Sequence, residues 1–117
     1  MGAPLERPAH GTPLRSLAGT VPVPRDVVFD RLSAALAPSS PEGGSFSTDH
    51  AQGLIVQQGG WWYRAEYRVL DHPEGTRIEL EIVNVAAPAH WLGPITGRNE
   101  LRAAPESFRA LLSGLSV

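Results

Sequence analysis

Residues 54–85 read LIVQQGGWWYRAEYRVLDHPEGTRIELEIVNV, and this stretch decides the fold. Apolar and charged residues alternate after position 61 and again after position 77, which is the pattern of strands with one buried and one solvated face. Gly59-Gly60 and the segment 71–75 are turn signals, because glycine accepts positive φ and proline presets φ. The stretch predicts three consecutive antiparallel strands joined by two tight turns.

The same alternation predicts which face of the sheet each side chain occupies. With Gly59-Gly60 as a two-residue turn, Leu54 pairs with Ala65 and the apolar sets of the strands coincide. The residues predicted to face inward are Leu54, Val56, Trp61, Tyr63, Ala65, Tyr67, Ile78, Leu80 and Ile82. The residues predicted to face outward are Trp62, Arg64, Glu66, Arg68, Arg77, Glu79 and Glu81. Trp62 is the anomaly, an aromatic residue on a charged outer face.

The segments that precede this meander are less regular. Residues 1–13 hold three prolines and two glycines without periodicity, which predicts a mobile N-terminal tail. The structural alternative is that Leu5 packs on the outer face of the sheet. Residues 14–23 predict a strand that lies or ends at an edge, because Pro22 cannot donate to a ladder. Residues 45–50 predict a further short strand.

Two helical regions flank the strands. Residues 25–37 place apolar side chains at i, i+4, i+7 and i+8, which is typical of an amphipathic helix. A second helical pattern follows residue 86, but Gly93-Pro94 and Pro105 interrupt it. A proline inside a helix costs about 3 kcal/mol, so we expect a long, kinked C-terminal helix whose final segment begins near Pro105.

Composition narrows the classes of function. A chain of 117 residues with 42% hydrophobic and 19% charged residues suits one globular domain. A net charge of −2 argues against a nucleic-acid platform, and the absence of cysteine and lysine excludes thiolate and Schiff-base chemistry. The four histidines lack metal-ligand spacing, so we expect neither a metal nor a cofactor. No apolar run is long enough for membrane insertion and no signal-peptide core occurs, which predicts a cytoplasmic location.

The order of a strand, a helix, a run of antiparallel strands and a long C-terminal helix resembles the helix-grip fold of the START-like (SRPBCC) superfamily. That superfamily includes the major birch pollen allergen and polyketide cyclase/dehydrase proteins. VPVPRDVVFDRL at 21–32 and HPEGTRIELEI at 72–82 resemble its characteristic segments, and QQGGWWYRAEY at 57–67 looks like a compact bacterial branch. The resemblance implies one α+β domain over residues 14–117, with about five strands curved around the C-terminal helix.

The resemblance also implies a cavity between the concave face of the sheet and the C-terminal helix. The residues that it places there as ligand contacts are Trp61, Tyr63, Tyr67, Leu80, Ile82, Asn84, Trp91, Ile95 and Phe108. Each has a structural alternative: the two tyrosines bring large apolar areas to a core, and Asn84 stands at a strand end where its amide can bond a turn.

Three functions remain open at this level. The first is binding of a hydrophobic small molecule or lipid without chemistry. The second is a cyclase, aromatase or dehydratase that acts on a polyketide-like substrate, for which the candidate groups are Tyr63, Tyr67, His90 and Arg98. The third is an interaction module that uses the outer sheet face, with Trp62 at a homodimer contact; its structural alternative is a Trp62 stacked against Arg64.

Overall fold

The computed structural model describes residues 4–38, 45–59, 62–86 and 97–116. The protein belongs to the α+β class, as predicted, and these ranges hold a five-stranded antiparallel sheet, one N-terminal helix and one C-terminal helix. The strands are β1 (Thr12–Val21), β2 (Ser45–Asp49), β3 (Leu54–Gly59), β4 (Tyr63–His72) and β5 (Gly75–Asn84). The helices are α1 (Arg25–Leu36) and α2 (Arg98–Leu115).

The sheet has the strand order β1-β5-β4-β3-β2, so the first strand pairs with the last. β1 is an edge strand and ends at Val21, which confirms the prediction made from Pro22. Pro13 also lies in β1, where the pairing with β5 shifts register between Pro13 and Arg15. The long pairing of β1 with β5 joins the N-terminal part of the chain to its far end.

The hairpin of β4 and β5 has the predicted turn. His72 pairs with Gly75, and Gly75 has a φ of 137°. A Cβ atom at Gly75 would collide with the carbonyl oxygen of Val21, so both the backbone conformation and the space require glycine there. The faces of the two strands follow the predicted alternation, since the main core includes Ala65, Tyr67, Val69, Ile78, Leu80 and Ile82.

The hairpin of β3 and β4 differs from the prediction. Leu54 pairs with Arg68 and Gly59 with Tyr63, a shift of three residues from the predicted pairing of Leu54 with Ala65. The two-residue turn at Gly59-Gly60 is wrong, because Gly59 belongs to the strand and the connection spans residues 60–62. An odd shift moves every side chain of β3 to the opposite face.

The shift has clear consequences for the core. Ile55 joins the main core, whereas Leu54 and Val56 form a separate cluster with Leu5 on the other face. The prediction that Leu54 and Val56 face inward is therefore wrong. The physical reason is that Leu54, Ile55 and Val56 are all apolar and all buried, so either register buries hydrophobic side chains.

The two helices cover the inner face of the sheet. α1 buries Val28, Phe29, Leu32 and Leu36, which confirms the amphipathic helix predicted for 25–37 to within one residue. α2 packs on β1, where a Cβ atom at Gly19 would collide with Leu112. The missing side chain at Gly19 leaves space for a terminal methyl group of Leu112 against the strand.

The C-terminal helix is shorter than predicted and begins earlier than Pro105. α2 has 18 residues and runs through Pro105, so the expected helix start at that proline is wrong. The lost backbone hydrogen bond costs about 3 kcal/mol, which the burial of Leu101, Ala104 and Phe108 offsets. A bend at Pro105 stays a prediction. Gly93-Pro94, which the sequence predicts to interrupt the helical region, lies outside the described residues.

One buried polar group in α1 gives a test of the packing. The Oγ atom of Ser33 is buried and has no hydrogen-bond partner among the described residues. Ser33→Ala is expected to raise the free energy of unfolding by about 0.5–1 kcal/mol, because it removes an unsatisfied hydroxyl and improves helix propensity. Urea unfolding measures the change. Ser113→Ala in α2 is the control, since that hydroxyl bonds the Arg109 carbonyl oxygen at 3.2 Å. A lower urea midpoint for Ser33→Ala would contradict the prediction.

Candidate functional site

A cavity of about 420 Å³ lies between the inner face of the sheet and α2. Its volume is within the range of about 300–1,000 Å³ that small-molecule sites occupy. The sheet contributes its wall from β3, β4 and β5, and the end of α1 closes one side. The lining residues are Leu36, Gln57, Tyr63, Tyr67, Leu80, Ile82, Ala103, Ala104, Ser107, Phe108 and Leu111.

The structure brings five of the residues predicted as ligand contacts together in this cavity. They are Tyr63, Tyr67, Leu80, Ile82 and Phe108. The alternation of β4 and β5 places four of them, since Tyr67 pairs with Leu80 and Ala65 with Ile82 across the two strands. Their contact with a ligand stays a prediction.

The other predicted site residues do not line the cavity or lie outside the described part of the chain. Asn84 is buried, and its Oδ1 accepts a hydrogen bond from the Ala86 backbone N–H at 3.1 Å, which fits the structural alternative. Arg98 is exposed in the first turn of α2 and is absent from the described lining. Trp61, His90, Trp91 and Ile95 fall outside the described residues.

The two tyrosines give the cavity its polar character. Tyr63 makes an edge-to-face contact with Trp62, with ring centroids 5.5 Å apart. Tyr67 is 6% exposed. Burial raises the pKa of the Tyr67 hydroxyl, and the nearby Tyr63 raises it further. The Tyr67 hydroxyl therefore stays protonated at neutral pH and serves as a hydrogen-bond donor.

The sequence analysis missed Gln57 and most of the contribution of α2. Gln57 faces the cavity because of the register of β3, and its Nε2 donates to the Leu36 carbonyl oxygen at 2.8 Å. Ala104 and Leu111 share the helical stripe of Phe108 but were not singled out as ligand contacts. Ala103 and Ser107, one residue to the side of that stripe, are exposed and line the cavity at its solvent side.

The outer face of the sheet carries a buried cluster of charges. Arg64 is 0% and Glu66 2% exposed, and the Arg64 Nε atom lies 2.7 Å from Glu66 Oε2. Arg7 donates to both oxygens of Glu66, at 2.6 Å and 3.2 Å, and also contacts Glu81. The prediction that Arg64 and Glu66 belong to a solvated outer face is wrong, because the N-terminal segment covers them.

Hydrogen bonds join the N-terminal segment Pro4–Gly11 to this face. The carbonyl oxygens of Pro4 and Leu5 accept from the Arg64 guanidinium at 2.6 Å and 2.9 Å. Leu5 packs with Leu54 and Val56, which is the alternative that the sequence left open for this residue. Mobility of the segment stays a prediction. Glu66, two residues away, balances the charge of the buried Arg64, and carbonyl oxygens 60 and 59 residues away accept hydrogen bonds from its other nitrogens.

The electrostatics of Glu66 follow from this arrangement. Burial opposes ionisation and by itself raises the pKa of the Glu66 carboxyl, but hydrogen bonds from Arg7 and Arg64 outweigh burial and lower the pKa to about 2. Glu66 is therefore ionised at neutral pH, and its charge is held by two guanidinium groups.

Trp62 is not on the outer face. It is 6% exposed, belongs to the main core, and its carbonyl oxygen accepts from the Val85 N–H at 2.8 Å. The period-two argument fails for Trp62 because it precedes β4, which begins at Tyr63. The predicted exposed patch is wrong, and a homodimer contact through Trp62 has no support.

A second concavity of about 440 Å³ lies on the outer face and has mixed charge. Its lining includes Arg68, Arg77, Glu79 and Glu81. Arg77 Nε lies 2.9 Å from Glu79 Oε2, and Arg68 Nη1 lies 3.5 Å from Glu66 Oε1. Since each pair joins opposite charges two residues apart on one strand, the concavity favours no ligand of one sign.

Within the described residues, no group of three His, Asp or Glu side chains has an arrangement that would hold a metal ion. No helix in the same ranges combines the length and the hydropathy needed to cross a membrane. No protein-family model, curated protein or solved structure matches this chain.

Proposed function

We propose that this protein binds a hydrophobic small molecule or lipid in the cavity between the sheet and α2. The observation that carries the proposal is the cavity itself, about 420 Å³ with an aliphatic and aromatic wall and two tyrosines facing it. Mostly apolar pockets with a few placed polar groups are the usual form of small-molecule sites.

We also propose that this chain is a compact member of the START-like superfamily and has the helix-grip arrangement. Two observations support it: the order of the elements along the chain, and the position of the cavity between the sheet and the C-terminal helix. Both are what the sequence resemblance implies for this superfamily.

Binding without chemistry is favoured over a cyclase, aromatase or dehydratase activity. Among the described lining residues, the ionisable groups are the hydroxyls of Tyr63 and Tyr67. A general acid or base works best with a pKa near the operating pH, and burial moves the pKa of Tyr67 away from neutrality.

Blocking the cavity tests the proposed function. Ala103→Phe puts a large side chain on the cavity wall and is expected to weaken binding of an uncharged fluorescent probe such as Nile red by about tenfold or more, because it occupies the space of the probe. Fluorescence titration measures the affinity.

Ala110→Phe is the matched control, since Ala110 is exposed on the same helix and is absent from the described lining. This variant is expected to bind the probe as the wild type does. Binding in this cavity would be contradicted if the probe had equal affinity for Ala103→Phe and Ala110→Phe. It would also be contradicted if the wild type did not increase the fluorescence of the probe.

A further inference from the structure

We propose that the cavity takes an uncharged molecule that carries a hydrogen-bond acceptor, such as a ketone or ester carbonyl, and that the Tyr67 hydroxyl donates to that acceptor. This inference rests on the proposed binding function and names the chemical class of its ligand.

The first observation is an unpaired polar group in an apolar wall. Tyr67 lines the cavity and is more than nine-tenths buried, yet no described residue makes a hydrogen bond to its hydroxyl. The hydroxyl oxygen is not fully enclosed, so it meets the cavity space, and covering it with an apolar group costs its hydrogen bond to solvent. A ligand that accepts this hydrogen bond avoids that cost, whereas a pure hydrocarbon incurs it.

The second observation is that the other buried polar side chain of the wall is already engaged. The Nε2 atom of Gln57 donates to the Leu36 carbonyl oxygen at 2.8 Å. Ser107 is exposed, so solvent satisfies its hydroxyl. Among the described lining side chains that are more than nine-tenths buried, Tyr67 is therefore the donor that can orient a ligand, whereas Tyr63 is half-buried.

The third observation concerns charge. The described lining residues include no carboxylate, guanidinium or imidazole group. The charged side chains Arg64, Glu66 and Arg68 of β4 interact with one another on the opposite, outer face. A ligand charge placed in this cavity would lose hydration without gaining a counter-ion from the described lining, which is unfavourable. The cavity thus favours the uncharged form of any ligand.

The protonation of Tyr67 fits the same role. Its raised pKa keeps the phenol neutral across the physiological range, so the group donates a hydrogen bond and does not present a phenolate. A carbonyl or ether oxygen is the complementary partner, since either accepts a hydrogen bond without carrying a charge.

Three probes with one skeleton separate these properties: ethylnaphthalene, acetylnaphthalene and naphthoate, each titrated by calorimetry at neutral pH into the wild type and Tyr67→Phe. Loss of one hydrogen bond is expected to reduce the preference for the ketone over the hydrocarbon by about tenfold in Tyr67→Phe. Naphthoate is expected to bind the wild type at least about tenfold more weakly than the ketone.

The outcomes are distinguishable. An equal ketone-to-hydrocarbon ratio in the two proteins overturns the role of Tyr67, and naphthoate that binds as tightly as the ketone overturns the uncharged class; both results leave the binding function standing. If none of the three probes gives a binding signal in calorimetry, both the inference and the binding function are overturned.

Thermal unfolding of the unliganded variant gives a further readout. Tyr67→Phe keeps the ring and removes a hydroxyl without a described partner, so its midpoint is expected to equal or exceed that of the wild type. A clear fall in the midpoint would mean that the hydroxyl has a partner within the fold, which also overturns the proposal.

Discussion

Replacing Glu66 with alanine is expected to lower the free energy of unfolding by about 3–5 kcal/mol. The substitution leaves the fully buried Arg64 guanidinium without its counter-ion and removes the acceptor that holds Arg7 over the sheet. Breaking a buried ion pair from one side carries a penalty of this size, because the remaining charge stays desolvated. Urea unfolding followed by circular dichroism measures the loss.

Glu79→Ala is the matched control. Glu79 is also an outer-face glutamate paired with an arginine, at 2.9 Å, but its side chain is 41% exposed. Exposed pairs contribute about 0–1 kcal/mol, so we expect a loss below about 1 kcal/mol. Equal losses in the two variants would contradict a buried, closed charge cluster around Glu66.

The pH dependence of this effect has a defined sign. The pKa of Glu66 is about 2 in the folded protein, below its ordinary value of 4.5, so the folded state binds fewer protons. The stability that Glu66 contributes is therefore present above about pH 4.5 and is lost as the pH falls towards 2. The difference in free energy between the wild type and Glu66→Gln should shrink over that interval. A difference that stays constant from neutral pH to pH 2 would exclude this linkage.

The second large effect is expected at Trp62. Trp62→Ala should lower the free energy of unfolding by about 3–5 kcal/mol, because it removes a large side chain from the main core and its edge contact with Tyr63. Chemical denaturation measures the loss, and Trp62→Phe, which keeps an aromatic ring, should lose less.

Leu70→Ala provides a comparison at a neighbouring position that the solvent reaches. Leu70 is 36% exposed on β4, and its truncation should cost less than about 1 kcal/mol. The opposite pattern would support an outer contact surface: a Trp62→Ala variant as stable as the wild type, with a changed molar mass in light scattering. That result would restore the interpretation of Trp62 that the sequence alone suggested.

The sequence predicts the parts of the fold that local rules control. The hairpin of β4 and β5 follows from strict alternation and from a turn that ends in Gly75, where positive φ is required. The helix α1 follows from its apolar spacing. Four of the lining residues of the cavity follow from the same alternation, because a period of two assigns faces without any knowledge of long-range contacts.

The predictions that are wrong concern features that the local sequence pattern does not determine. Leu54, Ile55 and Val56 are all apolar, so hydrophobicity does not choose between registers of β3, and Gln57 is missed as a cavity residue as a result. Trp62 lies beyond the end of β4, where alternation no longer applies.

The burial of the outer charge cluster is a third feature that the sequence analysis fails to predict. Alternating arginines and glutamates on a strand are typical of a solvated face, and nothing near Glu66 in sequence indicates that Arg7 lies over it. The cover comes from 59 residues away, from a segment whose composition predicts a tail. Burial of a face is a property of the whole chain, and here only the tertiary structure reveals it.

The pairing of β1 with β5 also sets the order in which the protein must fold. β1 is made first, but its sheet partner is β5, the last of the described strands, with Thr12 opposite Asn84. During synthesis on the ribosome, β1 and the segment Pro4–Gly11 have to wait until nearly three quarters of the sequence has emerged. Closing such a long loop is slow, because the chain loses conformational entropy before the contacts between β1 and β5 stabilise it. We therefore expect the local hairpin of β4 and β5 to form early and the N-terminal segment to dock last, when it covers the buried charges of the outer face.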